Sequence, residues 1–120
     1  MSIAKFDIPK ELQEKQMALL EKIEKDGKIK VGVNEVTKMI ERGNAKFVVI
    51  AEDVNPAEIV MHLPLLCDEK KVPYSFAPTK KELGAKAGVA VGTAAIAVID
   101  EGDNKKELEG IAKKLAELRK

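Results

Sequence analysis

One cysteine, one histidine, no tryptophan and four other aromatic rings are all that 120 residues supply of these types. Each scarcity excludes a class of chemistry. A lone thiol, Cys67, permits neither an internal disulfide nor a cysteine-built zinc site, which needs several sulfurs at fixed spacing. A lone imidazole, His62, stands among Val60, Met61 and Leu63 with no base or orienting group beside it, so it reads as structural. Cys67, one helical turn beyond Leu63, reads as a buried inert thiol. No Gly-Lys-Ser/Thr tripeptide occurs. Gly84, Gly88 and Gly92 recur every four residues, a spacing that fits neither a phosphate-binding loop nor a dinucleotide fingerprint. Of the rings, Phe47, Tyr74 and Phe76 fall in predicted strands and leave only Phe6, so no platform for stacking bases is present. The longest uncharged stretch, residues 87–99, is shorter than the roughly 20 residues of a membrane span. The first residues carry no apolar export segment. The expectation is a cytoplasmic protein that does not engage membranes.

What the chain does have is 45% hydrophobic and 34% charged residues, the mixture of a folded domain, and a length suited to one core spanning residues 1–120. The net charge of +1 conceals blocks. Residues 28–46 hold five Lys or Arg against two carboxylates, and residues 68–86 hold five against three. Between them, residues 47–67 carry three carboxylates and no Lys or Arg. A fold that joined the two basic blocks would present a positive face on an otherwise acidic body.

Periodicity predicts alternating helices and strands. Pro9 stands near the start of a helix with Leu12, Gln16, Leu19, Leu20 and Ile23 on one side, ending near Gly27. Residues 28–31 alternate as a half-buried strand that Gly32 breaks, and a second helix carries Val36, Met39 and Ile40 as far as Gly43. A strand follows at 45–50, then a helix entered at Asn55-Pro56, with Pro64 expected to kink or divide it. Residues 72–77 form the next strand. Thr79 and Glu82 have capping-box spacing for a short helix closing at Gly84 or Gly88. A last strand at 93–99 leads to a helix entered at Asp103-Asn104. Such alternation predicts an α/β fold, a single-domain three-layer α/β/α sandwich around a mixed four- to five-stranded sheet.

Asn34, Glu35 and Lys38 are the most informative polar group. They share the first turns of a helix directly after a glycine, where unpaired amides face outward and all three side chains can reach one target. A plainer alternative makes Asn34 a structural N-cap in a small protein-interaction or ligand-binding domain. Residues 87–93 form an uncharged, glycine-punctuated loop that exposes Val89 and Val91 unless both fold inward. Asp100, Glu101 and Asp103 cluster at a strand end without calcium-loop spacing and read as a solvated helix entry.

Several segments together carry a resemblance. Lys30-Val-Gly-Val-Asn34-Glu35-Val-Thr-Lys38, Ile50-Ala-Glu-Asp-Val-Asn-Pro56, His62-Leu-Pro-Leu-Leu-Cys67, Val72-Pro-Tyr74 and Leu83-Gly84-Ala-Lys-Ala-Gly88 occur in register over residues 6–100. In order and spacing the chain resembles the L-seven-Ae (L-eight-e) family of large-subunit ribosomal proteins, above all its archaeal members. That family binds kink-turns, sharply bent RNA motifs with tandem sheared G·A pairs beside a three-nucleotide bulge.

The resemblance implies a non-enzymatic RNA-binding domain without a cofactor. It would serve ribosomal RNA, box C/D and H/ACA guide RNAs and ribonuclease P RNA, together with ribonucleoprotein core proteins, and be monomeric when free. It implies that Asn34, Glu35 and Lys38 read the G·A guanines and that Gly32 lets the backbone come close. Lys30 and Lys80 would contact phosphates, and the loop of Val89, Ala90, Val91 and Gly92 would cover an extruded nucleotide. Val31 stands where many relatives have a second lysine, Gly92 where many archaeal ones have proline, and Asn55 where many are acidic.

Overall fold

Helices and strands alternate without exception through the computed structural model, which describes residues 8–54, 56, 58–89 and 92–118. In chain order the elements are α1 (Lys10–Asp26), β1 (Lys28–Val31), α2 (Val33–Glu41), β2 (Phe47–Ala51) and α3 (Glu58–Lys70). They continue as β3 (Tyr74–Ala77), α4 (Lys80–Lys86), β4 (Ala95–Asp100) and α5 (Lys105–Leu118). The expected α/β architecture is thus realised with four strands among the described residues.

The sheet order is β1-β4-β2-β3. β2 and β3 are parallel, while β4 runs antiparallel to both of its neighbours, β1 and β2. Every residue of β2 and β3 is buried, so both faces of the sheet are covered, the usual condition of parallel pairing. α2 and α3 pack together over β1, β4 and β2, and α1 packs with α4 and α5. Leu19, Leu20, Ile23, Ile40, Leu63 and Leu115 bring the helical apolar faces into one core with the strands. Truncating any of them to alanine removes on the order of 2–5 kcal/mol.

β1 spans the predicted residues, whereas the other three strands begin two residues later than predicted, for identifiable reasons. Thr93 N–H donates to the Lys80 carbonyl at 3.1 Å instead of joining the ladder, so β4 opens at Ala95. Pro73 has no N–H, and β3 opens at Tyr74. The first strand of the parallel pair starts at Phe47, where the run of buried residues begins. Pro64 does not divide α3, which continues as one helix from Glu58 to Lys70 around the buried ring. Gly84 lies inside α4 instead of closing it, and Gly88, at φ +76°, follows its end.

Gln16 falls on the apolar face of α1, and its burial has a polar purpose. Its Nε2 and that of Gln13 both donate to the Phe76 carbonyl, each at 2.8 Å. β3 is an edge strand, and these amides occupy an acceptor that would otherwise invite another strand.

The register fixes where function can be built. Val31 pairs with Ile96, Ile50 with Ala95 and Ala51 with Ala77, so the ends of β1, β2 and β3 and the start of β4 form one edge of the sandwich. α2 and α4 both begin at that edge.

Candidate nucleic-acid interface

Gly32 joins β1 to α2 and occupies the N-cap position with φ +102° and ψ 147°. L-residues with a side chain rarely adopt that backbone, which explains the glycine. A Cβ there would meet nothing within 4 Å, so the constraint is conformational and the space beside it is open. Gly32 N–H donates to the Ala95 carbonyl at 3.0 Å, anchoring the turn to the start of β4. Val36 N–H makes the first helical bond, to the Gly32 carbonyl at 2.9 Å. The amides of Val33, Asn34 and Glu35 precede it, and Gly32 has no side chain with which to satisfy them.

Asn34 is therefore the second helical residue and not the cap. This corrects the plainer alternative, because the capping role is already filled by Gly32 and the Asn34 side chain is exposed. Glu35 and Lys38 stand three residues apart, with Oε1 and Nζ separated by 3.7 Å and side chains 46% and 57% exposed. Such a pair is worth on the order of 0–1 kcal/mol, so both groups can exchange each other for a ligand at little cost. The edge thus offers a carboxylate acceptor, an ammonium donor and an amide with both functions within one helical turn and a half.

Lys30 is exposed on β1, two residues before Gly32. Lys80 is the first residue of α4 and is also exposed. A hydrogen-bond path connects it to the α2 terminus. Lys80 carbonyl accepts from Thr93 N–H at 3.1 Å, Thr93 Oγ1 donates to the Ala95 carbonyl at 3.2 Å, and that same carbonyl accepts from Gly32 N–H. The fold therefore brings Gly32, Asn34, Glu35 and Lys38 to the same edge as Lys30 and Lys80.

Other expectations fare differently. Val89 is not fully exposed: it is half-buried against the core, with its N–H donating to the Gly84 carbonyl at 3.0 Å. Ala90, Val91 and Asn55 lie outside the described residues. The basic blocks do not merge whole into one face. Lys46 pairs with Glu101 at 2.9 Å at the opposite end of the sheet, and Lys86 pairs with Glu21 at 3.3 Å. The Glu101 carboxylate raises the Lys46 pKa by hydrogen bond and by charge. That pairing, with Asp100 accepting from Gly102 N–H at 2.9 Å, accounts for two members of the acidic cluster. Among the described residues no group of three or more His, Cys, Asp or Glu could hold a metal, and no helix is long and apolar enough to cross a membrane.

Three contacts at this edge were not legible in the sequence. Thr93 is buried and bonded as above, although in sequence it looks like an ordinary strand residue. His62 Nε2 lies 2.9 Å from Thr37 Oγ1. Thr37 directs its single hydroxyl proton to the Val33 carbonyl at 2.8 Å, so His62 is the donor, and it ties α3 to the first turn of α2. Asp53 Oδ1 accepts from Lys80 N–H at 2.8 Å across 27 residues of sequence. A polar residue just after a buried strand was its only signal.

A groove of about 590 Å³ between α1 and α4, lined by Gln13, Met17, Glu21, Pro78 and Ala85 among others, contains none of the expected residues.

A solved structure of the Giardia lamblia 15.5kD RNA binding protein superposes with a TM-score of 0.84 at 36% sequence identity, covering 95% of this chain and 94% of that one. Residues 14–108 match the model of one protein family, a span that includes Lys30, the whole α2 terminus and Lys80. The chain belongs to the ribosomal protein L7Ae/L30e/S12e/Gadd45 family.

Proposed function

We propose that this protein binds RNA, and that the RNA it recognises is the kink-turn. The observation that carries this reading is the α2 terminus. A glycine in a backbone conformation reserved for glycine opens the helix, and Asn34, Glu35 and Lys38 project from its first turns without capping duties. The Giardia lamblia relative, an RNA-binding protein by title, supports the first half of the proposal.

The chemistry supports the second half. In a sheared G·A pair the guanine keeps its N1–H and O6 unpaired. Glu35 accepts from the guanine donor, while Asn34 and Lys38 donate to O6 or N7. Lys30 and Lys80 neutralise phosphates on either side, and the loop of residues 89–92 covers the extruded bulge nucleotide by aliphatic contact. These contacts span the stem and the bulge and can form together only on bent RNA, so binding selects the kinked conformer.

On this reading residues 1–120 act as one domain, free protein is monomeric, and it works in the cytoplasm as a binder without enzymatic activity or cofactor. Its RNA partners are ribosomal RNA, box C/D and H/ACA guide RNAs and ribonuclease P RNA, within particles that include ribonucleoprotein core proteins. The test is a titration of a generic kink-turn against the same RNA with both G·A pairs replaced by Watson–Crick pairs. A preference of at least about 30-fold for the former is expected, from two specific pairs at roughly 1–3 kcal/mol each. Equal affinity for both RNAs would refute kink-turn recognition.

A further inference from the structure

The edge that carries the RNA-binding lysines also carries an exposed carboxylate, Asp53, whose charge opposes phosphate binding. Its place explains it. Lys80 is the first residue of α4, so its N–H has no intrahelical acceptor. The cap residue Thr79 cannot supply one, because its hydroxyl already accepts from Glu82 N–H at 3.1 Å. Asp53 Oδ1 fills the gap at 2.8 Å, and a carboxylate is favoured there by the helix dipole and by the charge-assisted bond.

The other sides of Lys80 are held as well. Its carbonyl accepts from Thr93 N–H, and a Cβ added at Gly92 would stand only 3.1 Å from its Cβ and carbonyl carbon. The turn that carries Asp53 is itself tied down: Glu52 N–H donates to the Ala77 carbonyl at 2.9 Å and Ala51 N–H to the Ala94 carbonyl at 2.8 Å. Three loops, those after β2, after β3 and before β4, therefore close on the backbone of one residue, and its ammonium stem points from a fixed base.

We infer that Asp53 is a positioning residue for RNA binding, acting through the Lys80 backbone to aim that side chain. The inference rests on the kink-turn reading for the identity of the ligand. It assigns Asp53 no contact with RNA. Its bond acceptor is required and its charge is not.

Affinity for a kink-turn RNA is measured for the parent, Asp53→Ala, Asp53→Asn, Lys80→Ala and the Asp53→Ala/Lys80→Ala double variant, each with a melting curve. Asp53→Ala should bind about three- to tenfold more weakly, the range for losing one hydrogen bond. Asp53→Asn, which keeps an oxygen for Lys80 N–H, should bind within about twofold of the parent or more tightly, since a negative charge has left the phosphate face. In the Lys80→Ala background, Asp53→Ala should change affinity by less than about twofold, the non-additivity of residues acting through one another. A merely structural role would leave the Asp53→Ala loss intact in that background. That outcome, a parent-like Asp53→Ala, or an Asp53→Asn as weak as Asp53→Ala would each overturn the inference. The parent is also titrated with the RNA lacking G·A pairs. Loss of that discrimination in the parent itself overturns the kink-turn reading and the inference with it, whereas discrimination retained alongside a failed Asp53 series overturns the inference alone.

Discussion

Gly32 N–H donates to the Ala95 carbonyl at 3.0 Å while its own carbonyl accepts from Val36, so one glycine fastens the α2 terminus to the sheet and starts the helix. Its φ of +102° makes that double role available to glycine at low cost and to other residues only under strain.

Gly32→Ala should accordingly destabilise the protein by about 1–3 kcal/mol, the usual cost of holding a side-chain-bearing residue in a sparsely populated region. Open space around the new methyl group rules out a clash as the cause. Denaturant melts of the two proteins measure the difference. A variant as stable as the parent would mean that the turn relaxes freely, and the claim of a rigid α2 terminus would fall.

The sequence periods placed Leu19, Leu20, Ile23, Val36 and Ile40 in the core because helical spacing is a local property, and the structure buries all five completely. The Asn34-Glu35-Lys38 group was legible for the same reason: neighbours on one helix turn remain neighbours after folding. Pairings between distant segments were not legible. Nothing local in Lys46 or Glu101 announces their ion pair, and nothing in Asp53 selects Lys80 among the amides of the chain. Gln16 was legible as a position but not as a role, since its partner is a backbone carbonyl on a strand edge whose place depends on strand order.

Phosphate contacts are separable from base contacts by salt. Lys30→Ala and Lys80→Ala should each weaken binding to any kink-turn and reduce the salt dependence of log affinity by roughly one unit of slope or less. Discrimination against RNA without G·A pairs should survive in both. Titrations at several salt concentrations give the slopes, and unchanged slopes in both variants would remove these lysines from the phosphate face.

The Lys46–Glu101 pair links stability to alkaline pH. Glu101 raises the Lys46 pKa above its ordinary 10.5 in the folded chain. A cation with a raised folded pKa contributes its full stabilisation below the unfolded value and loses it as pH climbs through the folded one. The stability difference between the parent and Lys46→Met should therefore be constant from neutral pH up to about 9 and shrink above 10.5. A difference that persisted undiminished at pH 12 would show that packing, not the ion pair, is responsible.

Selection of bent RNA has a direct optical consequence. Energy transfer between fluorophores on the two stem ends of a kink-turn should rise when protein is added without magnesium, because differential affinity for the kinked conformer shifts the population. Ends that stayed apart at saturating protein would place the binding mode elsewhere.

The central claim is that the α2 terminus reads guanines, and Glu35→Ala titrated against both RNAs tests it most directly. Its carboxylate is solvent-accessible and only loosely paired to Lys38, so folding should be unaffected while kink-turn affinity falls by about 1–3 kcal/mol, on the order of 5- to 150-fold. Affinity for the RNA with Watson–Crick pairs in place of both G·A pairs should change by less than about twofold, because no sheared guanine is present to lose the contact. A Glu35→Ala protein that bound the kink-turn as tightly as the parent, or that lost equal affinity for both RNAs, would contradict the account.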